Sequence, residues 1–128
     1  MEQREKTTTE SGALFSSRRV LLFDLDGTLT DPGEGITNSV AYALQKSGVT
    51  PPAREALYPF IGPPLLGAFE AYYGFTPEQS RQALTYYREY YAPHGIYENR
   101  VYDGIEPLLA ALKRAGKRLV VATSKPEY

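Results

Sequence analysis

Arg19-Val20-Leu21-Leu22-Phe23-Asp24-Leu25-Asp26-Gly27-Thr28-Leu29-Thr30 is an apolar run that ends abruptly in two carboxylates one residue apart. Four consecutive apolar residues, Val20 to Phe23, suit a strand covered on both faces, as in a parallel sheet flanked by helices. In such sheets ligands bind beyond the carboxyl ends of the strands. Side chains alternate along an extended chain, so Asp24 and Asp26 project toward the same side while Leu25 turns back into protein. Two carboxylates in one small volume repel, and the pair implies either a shared proton or a divalent cation between them. Gly27 permits a sharp turn, and Thr28 adds a hydroxyl and a backbone N–H beside the acids.

Asp-x-Asp also opens a calcium loop of the EF-hand type, which needs Gly at its sixth position and Glu at its twelfth. Those positions hold Leu29 and Gly35, so that loop is rejected. An acidic turn with only a structural role is a poor account, because two acids directly after a fully apolar strand are costly unless used. Phe23-Asp24-Leu25-Asp26-Gly27-Thr28-Leu29-Thr30 resembles the first motif, DxDGT, of the haloacid-dehalogenase-like phosphatase superfamily. The continuation Asp31-Pro32-Gly33-Glu34-Gly35-Ile36 is similar to its phosphoglycolate phosphatase and 5'-nucleotidase branch.

At 128 residues one ordinary domain is expected. With 14 basic and 15 acidic residues, net charge −1, nothing pulls the chain toward a nucleic-acid polymer or an anionic membrane. There is no cysteine, which excludes disulfide scaffolds, thiolate metal sites and cysteine nucleophiles and fits a reducing, cytoplasmic setting. No apolar run approaches the roughly 20 residues needed to span a bilayer. Residues 1–18 are polar and rich in Thr, Glu and Ser, and read as a disordered extension. Arg18-Arg19 superficially looks like a twin-arginine signal, but Asp24 and Asp26 interrupt the apolar run that such a signal requires.

From Ile36 the period changes. Ile36, Val40, Ala43, Leu44 and Ser47 follow helical spacing, and Gly48 supplies the stop. Pro51-Pro52 breaks the chain, a short helical piece covers about Ala53 to Phe60, and Ile61-Gly62-Pro63-Pro64 turns into a helix from Leu65 to Tyr73. Thr76-Pro77-Glu78-Gln79 is a capping box with proline at the first helical position, and the helix it opens runs to about Tyr91. Ala83, Tyr86, Tyr87, Tyr90 and Tyr91 form a broad stripe on it that reads as core. His94 lies in a Pro93-His94-Gly95 turn and reads as solvated. Residues 36–102 are therefore an all-helical insert between two pieces of an α/β core, residues 19–35 and 103–128. The resemblance implies that this insert is a cap over the active site, with Ile61-Gly62-Pro63-Pro64-Leu65 as the loop facing the pocket.

Asp103 is expected to cap the next helix, with Glu106 at the box position, Leu108, Leu109 and Leu112 facing the core, and Gly116 ending it. Leu119 to Ala122 then forms a second buried strand, and a strand–insert–helix–strand order sets the two strands parallel. Parallel strands bring Thr123 and Ser124 beside Asp24 and Asp26, where hydroxyl and N–H groups hold phosphate oxygens. Gly27, Thr28, Thr123 and Ser124 are the expected phosphate-binding set. Thr123 also takes the place of the family's second motif. No Walker loop is present, and Gly33-Glu34-Gly35 lacks the third glycine of a dinucleotide fingerprint, since position 38 is Asn.

The resemblance implies an α/β fold, a parallel Rossmann-like sheet with a small helical cap, and a Mg²⁺-dependent phosphomonoester hydrolase working through an aspartyl phosphate. Asp24 would be the nucleophile and Asp26 the general acid and base, with Asp24 and Asp26 holding the metal. The substrate would be a small phosphorylated metabolite such as 2-phosphoglycolate or a nucleoside 5'-monophosphate. The family's third and fourth motifs, a Lys or Arg and an acidic pair, belong further along than Tyr128, and Lys125 is no substitute because members carry a Lys there as well. The chain thus resembles the N-terminal half of such an enzyme. A phosphotransferase or sugar-phosphate mutase, and a non-catalytic fragment that binds a partner, are the alternatives. A receiver domain would place its acceptor Asp on a later strand than its metal acids. The 128-residue chain alone is expected to hydrolyse p-nitrophenyl phosphate with Mg²⁺ no faster than the blank, and robust turnover by a mass-verified sample would contradict this.

Overall fold

The computed structural model describes residues 16–125, so most of the segment expected as an N-terminal extension lies outside the described residues. The elements run β1 (Val20–Phe23), β2 (Thr30–Asp31), α1 (Gly33–Lys46), a 3-10 segment (Arg54–Phe60), α2 (Leu65–Tyr73), α3 (Pro77–Tyr91), a 3-10 turn (Gly95–Tyr97), β3 (Arg100–Val101), α4 (Ile105–Arg114) and β4 (Arg118–Val121). They group into two compact units. One joins the chain up to Leu29 with Val101–Lys125, and the other is Thr30–Arg100.

In the first unit β1 and β4 pair in parallel, in a register that sets Val20 opposite Arg118 and Phe23 opposite Val121. Ala122 N–H donates to the Phe23 carbonyl at 2.8 Å, extending the pairing to the point where the acids begin. The alternation of the pleat is visible: Leu21 and Phe23 are half-buried, whereas Val20 and Leu22 are 51% and 70% exposed. The expected cover on both faces is therefore absent among the described residues, because one helix against a two-stranded sheet covers one face only.

α4 also starts differently from the expectation. The chain turns through Gly104, whose φ of 84° lies in the left-handed region, and Gly104 rather than Asp103 precedes the first helical residue. No side chain caps this end, because the later start moves Glu106 to the second helical position, out of box register. Leu108 is 45% exposed, while Ile105, Leu109 and Leu112 are half-buried and form the inner stripe. The C-terminus is as expected: Gly116 has φ 75°, and the Lys117 N–H reaches back to the Leu112 carbonyl at 3.0 Å.

The second unit has the better-filled core. Val40, Ala43 and Leu44 of α1, Leu57 and Phe60 of the 3-10 segment, Phe69 of α2, and Ala83, Tyr87 and Tyr91 of α3 are all buried. Phe69 stacks on Phe75 (5.8 Å, 6°) and tilts against Phe60 (5.1 Å). Burying a side chain such as Phe69 contributes about 1.5–3 kcal/mol. The capping box of α3 is complete, with Gln79 N–H donating to Thr76 Oγ1 at 3.2 Å and Thr76 N–H to Gln79 Oε1 at 2.8 Å. Tyr87 and Tyr91 are inside and Tyr86 and Tyr90 half-buried, so the tyrosine stripe is core. α1 begins at Gly33, three residues before the apolar period does, because Gly33 and Gly35 carry no side chain that could register in it.

Gly35 has a further role. Its N–H donates to the Glu98 carbonyl at 3.1 Å, and a methyl group built on it would overlap the Gly95 carbonyl. Two backbones cross here with no room for a side chain. Gly35→Ala should therefore lower stability by about 3 kcal/mol or more in urea unfolding, since backbone cannot yield cheaply; a loss under about 1 kcal/mol would show that the crossing relaxes.

Two phenols are shifted. Tyr73 is pushed up by burial, and Tyr90 by burial first and then by the neighbouring Glu98 carboxylate. A raised folded-state pKa means the stability contribution is fully present below the ordinary tyrosine value of about 10 and is lost as pH climbs from there through the raised values. Alkaline difference absorbance should show these two phenols ionising above the ordinary tyrosine range, with denaturant midpoints falling over the same range.

Candidate active site at the strand ends

Beyond Phe23 the backbone leaves the sheet in a tight loop. Asp24 Oδ1 accepts the Leu25 N–H at 2.8 Å, and the Leu25 carbonyl accepts the N–H groups of Thr28 at 3.1 Å and Leu29 at 2.9 Å. Gly27 sits at φ 79°, which only glycine adopts without strain. Leu29 is buried and anchors the loop, while Asp24, Gly27 and Thr28 are exposed and Asp26 is partly so. The Thr28 N–H expected beside the acids is thus taken up by the Leu25 carbonyl, because the turn closes on itself. The Thr28 hydroxyl is what that residue offers a ligand.

The loop after β4 carries Thr123 and Ser124, both exposed. Thr123 Oγ1 accepts the Lys125 N–H at 3.0 Å, a turn held by a side-chain oxygen that still has its own proton to donate. Lys125 Nζ then reaches Asp26 Oδ1 at 3.0 Å. The two loops that follow the parallel strands are joined by this ion pair, which brings Asp26 together with the Thr123–Lys125 turn. Lys125 stands outside the expected site set, entering the sequence reading only as no substitute for a later Lys or Arg, and its contact with Asp26 is what the sequence does not show. Its signal was present, a lysine two residues after the Thr that closes an apolar strand, but its partner lies 99 residues away in the chain.

Among the described residues no group of three or more His, Asp or Glu side chains could hold a metal. The donor chemistry of the acid loop nevertheless fits Mg²⁺, which binds through one or two carboxylates, retains water and takes further oxygens from a phosphate. Asp24 contributes a carboxylate. Asp26 contributes a second carboxylate, whose Oδ1 meets Lys125. His94 is exposed in the second unit, its ring 5.4 Å from that of Tyr90, as a turn histidine should be.

Two parallel strands with acids after the first and a Thr-Ser-Lys turn after the second form an α/β core with its polar residues gathered at the carboxyl ends. The chain belongs to the haloacid dehalogenase-like hydrolase family, whose sequence model matches residues 21–128. It is 55% identical over 106 residues to a 5'-nucleotidase of Pseudomonas aeruginosa, covering 83% of this chain and 48% of that protein. It is 41% identical over 111 residues to the tyrosine-protein kinase PtkA of Mycobacterium tuberculosis, covering 87% of this chain and 38% of that one. Among solved structures, a candidate phosphatase from Clostridium difficile superimposes with a TM-score of 0.82 at 49% identity, over 85% of this chain and 50% of the other. The chain spans about half the length of the relatives it matches or less.

Proposed function

We propose that the protein carrying this chain is a Mg²⁺-dependent phosphomonoester hydrolase that works through a phosphorylated Asp24. The observation that carries this reading is the 3.0 Å contact between Asp26 and Lys125, which gathers the acid loop and the Thr123-Ser124 turn at the same strand ends. In the first step an Asp24 carboxylate oxygen attacks phosphorus, the bond from phosphorus to the ester oxygen breaks, and that oxygen takes a proton from the Asp26 carboxyl group. In the second, water attacks the same phosphorus and gives its proton to Asp26. The bond to Asp24 then breaks, leaving inorganic phosphate and the free carboxylate. The hydroxyls of Thr28, Thr123 and Ser124 donate to the phosphoryl oxygens throughout, and Gly27 leaves space for the backbone to approach them. The Asp24 carboxylate and the Asp26 carbonyl would hold Mg²⁺, which when bound would supply positive charge offsetting the repulsion between a carboxylate and a phosphate dianion.

The proposed substrates are small phosphorylated metabolites of the nucleoside 5'-monophosphate or 2-phosphoglycolate kind, which the resemblance to a 5'-nucleotidase supports. A second reading, transfer of the phosphoryl group to a hydroxyl other than that of water, draws support from the kinase-named relative. Product analysis separates them, since hydrolysis releases one inorganic phosphate per alcohol formed and transfer does not. Asp24→Asn in the full protein should lower phosphate release by about 1,000-fold or more with an unchanged circular dichroism spectrum. Turnover near the wild-type rate would remove Asp24 from the nucleophile's role.

A further inference from the structure

Lys125 is tied down at both ends. Its backbone N–H is held by Thr123 Oγ1 at 3.0 Å, and its ammonium by Asp26 Oδ1 at 3.0 Å, with only 11% of its side chain exposed. A lysine stem loses much rotamer freedom when fixed in this way, and surface ion pairs seldom hold such an arrangement. This pair is shielded and begins from a turn that fixes where the stem starts. Its partner Asp26, 35% exposed, stands on a loop whose tightness comes from the Leu25 carbonyl and from Gly27, neither of which restrains the Asp26 carboxyl group. The contact at Oδ1 restrains the Asp26 carboxylate from the side of the second loop.

We propose that Lys125 is the positioning residue for Asp26. It holds Oδ1, so that Oδ2 is the atom that gives a proton to the departing ester oxygen and later takes one from water. This rests on the acid–base reading of Asp26 given above. General acid–base groups contribute about 100- to 10,000-fold when correctly placed, and misplacement by an ångström forfeits about 100-fold.

The test compares Lys125→Met and Lys125→Arg in the full protein, using p-nitrophenyl phosphate and a phenyl phosphate series with poorer leaving groups. Lys125→Met should lower kcat by about 10- to 100-fold, most for the poorest leaving group, with KM and the Mg²⁺ concentration for half-activation within about twofold of wild type. Lys125→Arg should recover most of the loss, since a cation again meets Oδ1. Independently of turnover, three-bond NMR couplings of Asp26 should report a single side-chain rotamer in wild type and averaged rotamers in Lys125→Met. An averaged Asp26 in wild type overturns the proposal, as does a Lys125→Met protein with unchanged kcat or one that loses only KM, which would make Lys125 a substrate contact. Asp26→Asn at the wild-type rate would overturn both the acid–base reading and this proposal, and the rotamer measurement distinguishes that failure from absence of the ion pair.

Discussion

Parallel pairing of Val20–Phe23 with Arg118–Val121 is the constraint on which the chemistry of this chain depends. Residues nearly a hundred positions apart meet at the strand ends only because both strands run the same way and stop at the same level. The Ala122 N–H on the Phe23 carbonyl marks that level. Because side chains alternate with period two, a slip of one residue in this register would carry Thr123 and the turn it begins to the wrong side of the acids. Charge then secures what the register prepares, with Lys125 on Asp26 joining one loop to the other.

The two units keep their structure by different means. The helical unit has a core of aromatic and aliphatic side chains, and its tightest point is a contact between glycines, Gly35 against Gly95, where the absence of side chains lets α1 lie against the segment before β3. The strand unit is held chiefly by backbone hydrogen bonds and one helix face, and it leaves Val20, Leu22 and Val121 half or more exposed. Exposed apolar residues on alternate positions of a strand are the residue of a pattern written for burial on both sides. Among the described residues only one side receives its cover.

Much of this was legible locally. The Thr76–Gln79 box, the glycine stops at Gly48 and Gly116 and the Leu65–Tyr73 helix are set by contacts within a few residues, and each appears where its residues place it. The start of α4 is not legible in the sequence, because a side chain that could cap, Asp103, competes with a glycine whose backbone conformation decides the matter, and composition does not rank the two. The partner of the Thr28 N–H is hidden for a similar reason. Whether a donor faces a ligand or its own loop depends on how tightly the loop closes, and that is fixed by Gly27 and the burial of Leu29 together.

By itself the sequence determined the acid pair, the parallel α/β arrangement, the helical insert and the family, because apolar period, caps and a short dense motif are all written within a dozen residues. Tertiary structure alone decided which face of β1 is covered, which N–H groups are spent inside the acid loop, and that Asp26 is met by Lys125. Each of those depends on groups distant in sequence competing for the same space or the same hydrogen bond, and such competition is settled only when the chain is folded.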